Sequence, residues 1–254
     1  QQREAARIAR EALRLGAAMI APGTAIRTVL EAVEAHITDS GAAPAFPAQS
    51  SRNDIAAHYC SSPTDETLYE DGDLVKIDVG VHVDGWVADT ATTVDLGTDG
   101  QNGRISEAAK AALDAAIALV RPGCRVFDIG AKVQEVIESF GCRPVRNLTG
   151  HGIGHWQVHT KPQIPNVPDG HEILREGQVI AIEPFATDGE GVILERGRAE
   201  VFMLVAAPTR TKKIDSGVLA DIEAMNGLPF ARRSLKGHPE DQVEDALKRL
   251  SRQG

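Results

Sequence analysis

KIDVGVHVDGWVADTATTV, residues 76–94, holds two runs rich in β-branched residues on either side of Asp84-Gly85. Runs of this composition joined by Asp-Gly are typical of a β-hairpin with a two-residue turn. Such a turn fixes the register, because residue 83 must then face residue 86 across the hairpin. The stretch therefore predicts an antiparallel pair of strands.

Two aspartates lie inside these apolar strands. The predicted register places Asp78 opposite Ala91 and Asp89 opposite Gly80, so the aspartates are diagonal neighbours on one face, about 7–8 Å apart at the backbone. Two carboxylates this close repel each other, and one takes up a proton unless a cation lies between them. A divalent metal is the usual cation at such a spacing, and a solvated aspartate on an edge strand is the alternative.

The chain contains an internal repeat. Pro22-Gly23 recurs as Pro122-Gly123, and the helical positions that follow recur at the same offset of 100 residues. Further on, EDGDLVKIDVG (70–80) is similar to REGQVIAIEPF (175–185), which places Glu183 at the position of the first aspartate. The repeat predicts two related halves, each with a turn, a helix, strands and an acid at the same place. A chance match of scattered glycines and prolines is the alternative.

The second half adds histidines to the two aspartates. NLTGHGIGHWQVHTKP (147–162) holds His151, His155 and His159, and the glycines on both sides of His151 are expected to let the backbone approach a metal closely. Imidazole and carboxylates together suit Mn, Fe, Co or Zn rather than Ca. With Glu183, an acid in an apolar strand, the set has the ligand chemistry of a two-metal hydrolase. A single histidine is more often a hydrogen-bonded structural residue.

His58, in NDIAAHYC (53–60), follows a loop and precedes the hairpin. A surface histidine and a donor to a substrate carbonyl or oxyanion are equally compatible with this sequence.

Composition argues against several classes of protein. The 254 residues carry a net charge of −9, which argues against a general nucleic-acid-binding surface. The sequence shows no apolar stretch of membrane-spanning length and no signal-peptide core at its N-terminus. The three cysteines have no CxxC spacing, so a disulfide framework or thiolate zinc site is not expected and a reducing cytoplasm fits.

Hydrophobic spacing predicts the other elements. Helices are expected at about 3–20, from about 25 to Gly41, at about 104–120, and again before Gly141. Strands and loops are expected over 143–207, and 42–72 is expected to be rich in loops. The character changes in 208–254, where two helical patterns are joined by NGLPF. We therefore predict a domain of residues 1–207 and a helical subdomain of residues 208–254.

Four motifs, in order, resemble those of type II methionine aminopeptidases. They are FPAQSSRNDIAAHY (46–59), the hairpin stretch, NLTGHGIGHWQVHTKPQIPN (147–166) and IAIEPFAT (180–187). The resemblance implies an α+β pita-bread fold, with two pseudo-symmetric αβ halves around a dinuclear metal site. Residues 208–254, with LPFARR, are similar to the helical insertion of type II. The N-terminus shows no polybasic extension, so the archaeal form fits better than the eukaryotic one.

The resemblance assigns four metal ligands. Asp78 would bind one metal and Asp89 would bridge both. His151 and Glu183 would complete the shell of the second metal, and Glu183 would also move the proton of the attacking water.

The resemblance also assigns substrate contacts. His58 and His159 would hold the substrate amide and polarise the developing oxyanion, and His159 lies eight residues after His151, the spacing of type II. Phe46, Val158 and Phe185 fall where the family builds its methionine pocket. His155 matches no role and is expected to be structural or to lie at the rim.

The implied activity is removal of the initiator methionine from nascent chains by a hydroxide that bridges two divalent ions, Co, Mn, Fe or Zn. The expected partners are N-terminal methionine peptides, at the ribosome. A cytoplasmic monomer that binds neither nucleic acid nor membrane is expected.

One departure affects the expected activity. The family carries a fifth ligand, a glutamate in a segment like AQFEHT after the insertion, and no such segment occurs before Gly254. Glu200, in RGRAEVF, lies before the insertion and matches a different acid of the family. We therefore expect a C-terminally incomplete site that binds its second metal weakly and has low or no activity.

Two other functions stay open from the sequence. A prolidase-like X-Pro peptidase shares the fold, but usually carries an N-terminal domain for which residues 1–20 leave no room. A non-catalytic pita-bread protein that binds peptides, RNA or proteins typically loses the ligands. Metal content separates the second alternative from the peptidases, and the identity of the product separates the two peptidases.

Overall fold

The computed structural model describes residues 1–98 and 100–253. Its helices, in chain order, are α1 (Gln2–Met19), α2 (Ile26–Asp39), α3 (Gln101–Leu119), α4 (Val126–Ser139), α5 (Ser216–Ala224) and α6 (Glu240–Ser251). Its strands are β1 (Ala43–Arg52), β2 (Leu74–Val83), β3 (Trp86–Asp95), β4 (Arg143–Pro144), β5 (Thr149–Gly154), β6 (Gln157–Pro165), β7 (Val179–Ala181), β8 (Ala186–Thr187), β9 (Val201–Phe202) and β10 (Phe230–Ala231). A short 3₁₀ helix, Arg232–Ser234, follows β10.

The hairpin of β2 and β3 has the predicted register. Asp84 and Gly85 have φ angles of 49° and 79°, the pair of positive values that a type I′ turn requires. Asp78 pairs with Ala91, and Asp89 pairs with Gly80. The two aspartates are therefore diagonal neighbours on one face, as expected from the sequence.

The prediction of a loop was wrong for the first part of 42–72. Ala43–Arg52 forms strand β1, which pairs with β2 at the edge of a three-stranded sheet in the order β1-β2-β3. The segment carries Pro44 and Pro47, and an edge strand tolerates proline because its outer N–H groups need no partner strand. Two irregularities in the register accompany the prolines. The strand is nonetheless almost wholly buried, so its burial could not be read from an alternating pattern.

The two halves are related as the repeat predicts. The Gly23 N–H donates to the Tyr69 carbonyl oxygen, and the Gly123 N–H donates to that of Leu174. An isolated bridge between Ala25 and Leu68 likewise recurs between Arg125 and Ile173. Equivalent backbone contacts at the same offsets exclude a chance match of glycines and prolines.

Each half has its own apolar core between its helices and its sheet. In the first half, alternate residues of β2, including Ile77 and Val79, pack against α1 and α2. In the second half, α3 and α4 pack together, and α4 covers β6. Because side chains alternate along β2, Asp78 faces away from the helices and toward the second half.

The segment 208–254 has a third apolar cluster, formed mainly by α5 and α6. The cluster also takes Phe202 and Leu204 from before the proposed boundary, and β10 pairs with β9. Asp215 caps α5 by accepting hydrogen bonds from the backbone N–H groups of Gly217 and Val218. Of the helices described, none is both long and apolar enough to span a lipid bilayer.

Candidate metal centre

Asp78 is half-buried and lies on the face of the hairpin that points away from the helices. Its Oδ1 atom is buried and has no hydrogen-bond partner among the residues that the structure describes. A buried, unsatisfied carboxylate oxygen is costly, so an oxygen in this state indicates a place for a cation or a proton.

His151 and Glu183 of the second half meet the hairpin at this point. His151 Nε2 lies 3.0 Å from Glu183 Oε1 and 3.4 Å from Asp89 Oδ2. One ligand atom from each of Asp89, His151 and Glu183 lies within 4.8 Å of the other two. The structure therefore brings together three of the four predicted ligands, and Asp78 lies beside them on the same face as Asp89.

The glycines beside His151 let strand β5 pack closely against its neighbours. A Cβ atom on Gly150 would meet the Ala181 carbonyl oxygen of β7, and one on Gly152 would meet the Lys161 carbonyl oxygen. They therefore allow β5 to lie close to its neighbouring strands, and their approach to a metal stays a prediction. This close packing sets the position of His151, which pairs with Ala181 only two residues before Glu183.

The orientation of the His151 ring is fixed by its own strand. Nδ1 lies 3.1 Å from the Gly152 carbonyl oxygen. A carbonyl oxygen only accepts, so Nδ1 carries a proton, and Nε2 faces the two carboxylates. Metal-binding histidines are commonly oriented by such a second hydrogen bond.

The electrostatics of the cluster favour positive charge. Burial raises the pKa of Asp78 well above its ordinary value, and the nearby charges of Asp89 and Glu183 raise it further. Burial alone would lower the pKa of His151, but its hydrogen bonds to Asp89 and Glu183 outweigh burial and raise the pKa to about 10. The cluster thus holds protons where cations are absent.

The two predicted substrate histidines lie at the exposed side of the cluster. The His159 ring packs edge-on against that of His151, with 4.3 Å between centroids. Burial lowers the pKa of His159, and the neighbouring His151 and His58 lower it further. His58 is exposed and has a φ angle of 65°, in the left-handed region, which is uncommon for a residue other than glycine.

The predicted pocket residues are brought together only in part. Phe46 and Val158 belong to one buried apolar cluster, and the Phe46 ring lies over Gly80, where a Cβ atom would collide with it. Phe185 is half-buried and is not among the members described for this cluster. The other buried members are Ala45, Val87 and Leu228.

Leu228 was missed by the sequence reasoning. It comes from NGLPF in the helical segment, and it is buried against the pocket cluster rather than in the apolar cluster of α5 and α6. The sequence pattern indicates only that NGLPF joins two helices. The apolar residue after Asn-Gly is the one sign that this junction is buried.

Gln49 was also missed. It pairs with Asp78 across the sheet, it is buried, and its Oε1 atom has no partner among the described residues. Because residues 42–72 were expected to be rich in loops, the sequence did not indicate that Gln49 faces Asp78 in a sheet.

Glu200 and His155, which were expected to have no ligand role, have other partners in the structure. Glu200 accepts hydrogen bonds of 3.0 and 2.6 Å from Nε and Nη2 of Arg232. The His155 ring packs on Trp86, and its Nε2 lies 2.7 Å from the Asp84 carbonyl oxygen at the hairpin turn. Glu200 is thus held by an arginine, away from the cluster of His151.

Residues 1–218 match metallopeptidase family M24. The chain belongs to this family. The methionine aminopeptidase of Archaeoglobus fulgidus is 42% identical over 253 residues, which cover 99% of this chain and 84% of that protein. A crystal structure of methionine aminopeptidase from Thermotoga maritima has a TM-score of 0.71 at 30% identity, covering 76% of this chain and 81% of that one. A thermophilic Arx1 has a TM-score of 0.87 at 16% identity, covering 99% of this chain and 80% of that one, and this likeness shows the fold alone.

These findings confirm the resemblance and the fold class. The M24 chain has the pita-bread fold, with mixed helices and antiparallel sheets in two related halves. Membership of a metallopeptidase family also implies divalent metal.

The residues present fit such a metal. The cluster offers carboxylates and one imidazole, the donor set that suits Mn, Fe, Co or Zn. The partnerless Oδ1 of Asp78 is a donor still available for coordination among the described residues.

Proposed function

We propose that this chain is a metal-dependent aminopeptidase that removes the initiator methionine from nascent proteins. The observation that carries the proposal is the meeting of Asp89 with His151 and Glu183, one ligand atom from each being close to the others. Methionine aminopeptidases match nearly the whole chain, which supports the same activity.

Asp78, Asp89, His151 and Glu183 would hold two divalent ions, Co, Mn, Fe or Zn. When bound, such ions lower the pKa of a coordinated water and polarise a peptide carbonyl. They would also take the place of the protons that the cluster otherwise holds, which removes the repulsion between its carboxylates.

The chain's own residues would orient the substrate and move its protons. The Glu183 side chain is 32% exposed, so its carboxylate can both touch the cluster and take a proton from the attacking water. His159 and His58 lie on the exposed side of the cluster, where their N–H groups would donate to the amide and to the developing oxyanion.

The apolar cluster beside the hairpin would take the methionine side chain. Phe46 and Val158 would form its walls, and Phe185 would contribute at its edge. Leu228 joins the same cluster from the helical segment, so this pocket would be closed by residues 208–254.

The setting of the reaction is also a proposal. The substrates would be N-terminal methionine peptides of chains emerging from the ribosome, and the enzyme would act as a cytoplasmic monomer. The three cysteines, with no CxxC spacing, support a reducing compartment.

The first test is methionine release from a Met-Ala-Ser peptide with added Mn or Co. We expect release that a chelator stops and that Asp89→Asn reduces by at least about a hundredfold, because even changes to residues that support metal ligands cost about 10–100-fold. Asp95→Asn is the matched control, because Asp95 is an exposed aspartate at the end of the same strand. Slow release by the unaltered chain would agree with the expected low activity, which stays a prediction.

Calorimetric titration with Mn accompanies the assay and separates binding from chemistry. A chain that binds Mn and releases no methionine would contradict the proposed activity for this chain and would agree with the loss of activity expected for a site with four ligands. Cleavage of an X-Pro dipeptide in preference to Met-Ala-Ser would support the prolidase-like alternative. A chain that binds no metal would favour the non-catalytic alternative.

A further inference from the structure

Arg233 is a buried arginine in the helical segment, and its side-chain hydrogen bonds to described residues all lie in the first half of the chain. Its Nη1 donates to Cys60 Sγ at 2.6 Å, and its Nη2 donates to the Ala48 carbonyl oxygen at 3.0 Å. Nη2 also forms an ion pair with Glu34 of α2, and Glu34 in turn accepts from the Ala48 N–H at 3.1 Å. One guanidinium therefore joins α2, β1 and the loop after β1 to residues 208–254.

The partners of Arg233 stand next to residues of the proposed site. Cys60 is two residues after His58, and Ala48 is two residues after Phe46. Burial raises the pKa of the Cys60 thiol to about 11, so the sulfur stays neutral and is held as an acceptor. The planar fork of an arginine can serve several acceptors in fixed directions, which a single ammonium cannot do.

The loop of His58 needs such an anchor. His58 has a left-handed backbone conformation, which persists only where the surroundings enforce it. On one side of Cys60, the Tyr59 N–H donates to Ser51 Oγ at 3.2 Å, and the Tyr59 carbonyl accepts from the Ser50 N–H at 3.0 Å. Arg233 supplies the next anchor, and it comes from a distant part of the sequence.

We propose that Arg233 is a positioning residue, which holds the His58 loop and the Phe46 strand in place through Cys60 and Ala48. The expected kinetic effect of this inference rests on the proposed function. The contacts of Arg233 are independent of that function. Residues 208–254 would thus act on the substrate site without touching the metal cluster.

The test compares variants of Cys60 and Arg233 with a control variant of a second buried cysteine that also accepts from an arginine. Cys60→Ala removes the acceptor, whereas Cys60→Ser keeps one. Cys142→Ala is the control, because Cys142 is also buried and also accepts from an arginine, Arg104 Nη1 at 3.5 Å, in the second half. Arg233→Lys keeps the charge beside Glu34 but cannot reach Cys60 and Ala48 together.

We expect Cys60→Ala and Arg233→Lys to lower kcat/KM for Met-Ala-Ser by about tenfold, as loss of one charged hydrogen bond does, mainly through a higher KM. Cys60→Ser should recover part of this loss, and Cys142→Ala should keep the unaltered kinetics. Equal losses in Cys60→Ala and Cys142→Ala would overturn the proposal, because they would show a general effect of core damage.

Histidine side-chain NMR gives a readout that needs no activity. The His58 resonance should shift in Cys60→Ala and in Arg233→Lys and stay in place in Cys142→Ala. An unchanged His58 resonance in both variants would refute the positioning role. If the unaltered chain released no methionine, the proposed function would fail and this measurement would still decide the role of Arg233.

Discussion

His151 lies between two carboxylates, and its ring shows how the cluster balances charge. Burial disfavours the imidazolium, yet Asp89 and Glu183 accept its hydrogen bonds and raise its pKa to about 10. The ring of His159 faces His151 from β6. Burial and the neighbouring His151 both lower the pKa of His159, so a second positive charge on this ring is disfavoured. The pKa of Asp78 on β2 is raised, as that of His151 is, because burial and the nearby acids favour the protonated carboxyl.

This arrangement predicts how the stability of the metal-free protein depends on pH. The folded His151 has a pKa of about 10, against an ordinary value of 6.5, so the folded state binds more protons than the unfolded state between these values. The free energy of unfolding should therefore fall as the pH rises from about 6.5 to about 10. The raised pKa of Asp78 acts in the same direction, beginning as the pH rises above the ordinary value of 3.8.

Thermal unfolding of chelator-treated protein across this range measures the effect. His151→Gln should reduce the slope of Tm against pH. A Tm of the unaltered protein that is constant or rises over the range would contradict the prediction.

The β2–β3 hairpin is the element that sets the spacing of the two aspartates. Its type I′ turn contacts the second half, because the Trp156 N–H donates to the Gly85 carbonyl oxygen at 2.8 Å. A Cβ atom on Gly85 would also collide with the indole of Trp156. The turn therefore both fixes the register and holds the two halves together.

Gly85→Ala should destabilise the fold more than Gly72→Ala does. Both glycines have positive φ, 79° and 87°, so each substitution costs about 1–2 kcal/mol in backbone strain. Only Gly85 has a neighbour in the way, since the space around a Cβ at Gly72 is open, and the added collision should cost about 1–3 kcal/mol more. Urea unfolding of the two variants gives the comparison, and equal losses would show that Trp156 moves aside at no cost.

The register and the pairing of the two aspartates could be predicted because local rules decide them. An Asp-Gly turn fixes which residues face each other, and alternation along a strand then places Asp78 and Asp89 on one face. The roles of Arg233 and Leu228 could not be found this way. Their contacts join distant parts of the chain, and no periodic pattern of the sequence records such contacts.

At the scale of the whole molecule, the proposed pocket draws on three parts of the chain. Phe46 comes from the first half, Val158 from the second and Leu228 from the helical segment. The segment is fastened to the rest by buried arginines, Arg233 toward α2 and Arg232 toward Glu200. The affinity for substrate should therefore depend on packing far from the metal ligands in sequence.

Leu228→Ala should raise KM for Met-Ala-Ser by about tenfold, because removing side-chain carbons weakens an apolar pocket by that order. It should also lower stability by about 2–5 kcal/mol, the usual cost of a buried leucine. Leu235→Ala is the matched control, since Leu235 is equally buried but belongs to the cluster of α5 and α6. It should lose similar stability and keep its KM, and a shared rise in KM would contradict the pocket role of Leu228.

The four predicted ligands are synthesised in the order of their positions in the sequence. Asp78 and Asp89 lie on one hairpin, while His151 and Glu183 come much later in the sequence. A chain that grows from its N-terminus thus first presents an oxygen-only donor pair, which hard cations such as magnesium and calcium prefer. Under the proposed assignment, preference for a transition metal arises only when the imidazole of His151 is added. Metal selection would then be a late event in the biogenesis of this protein.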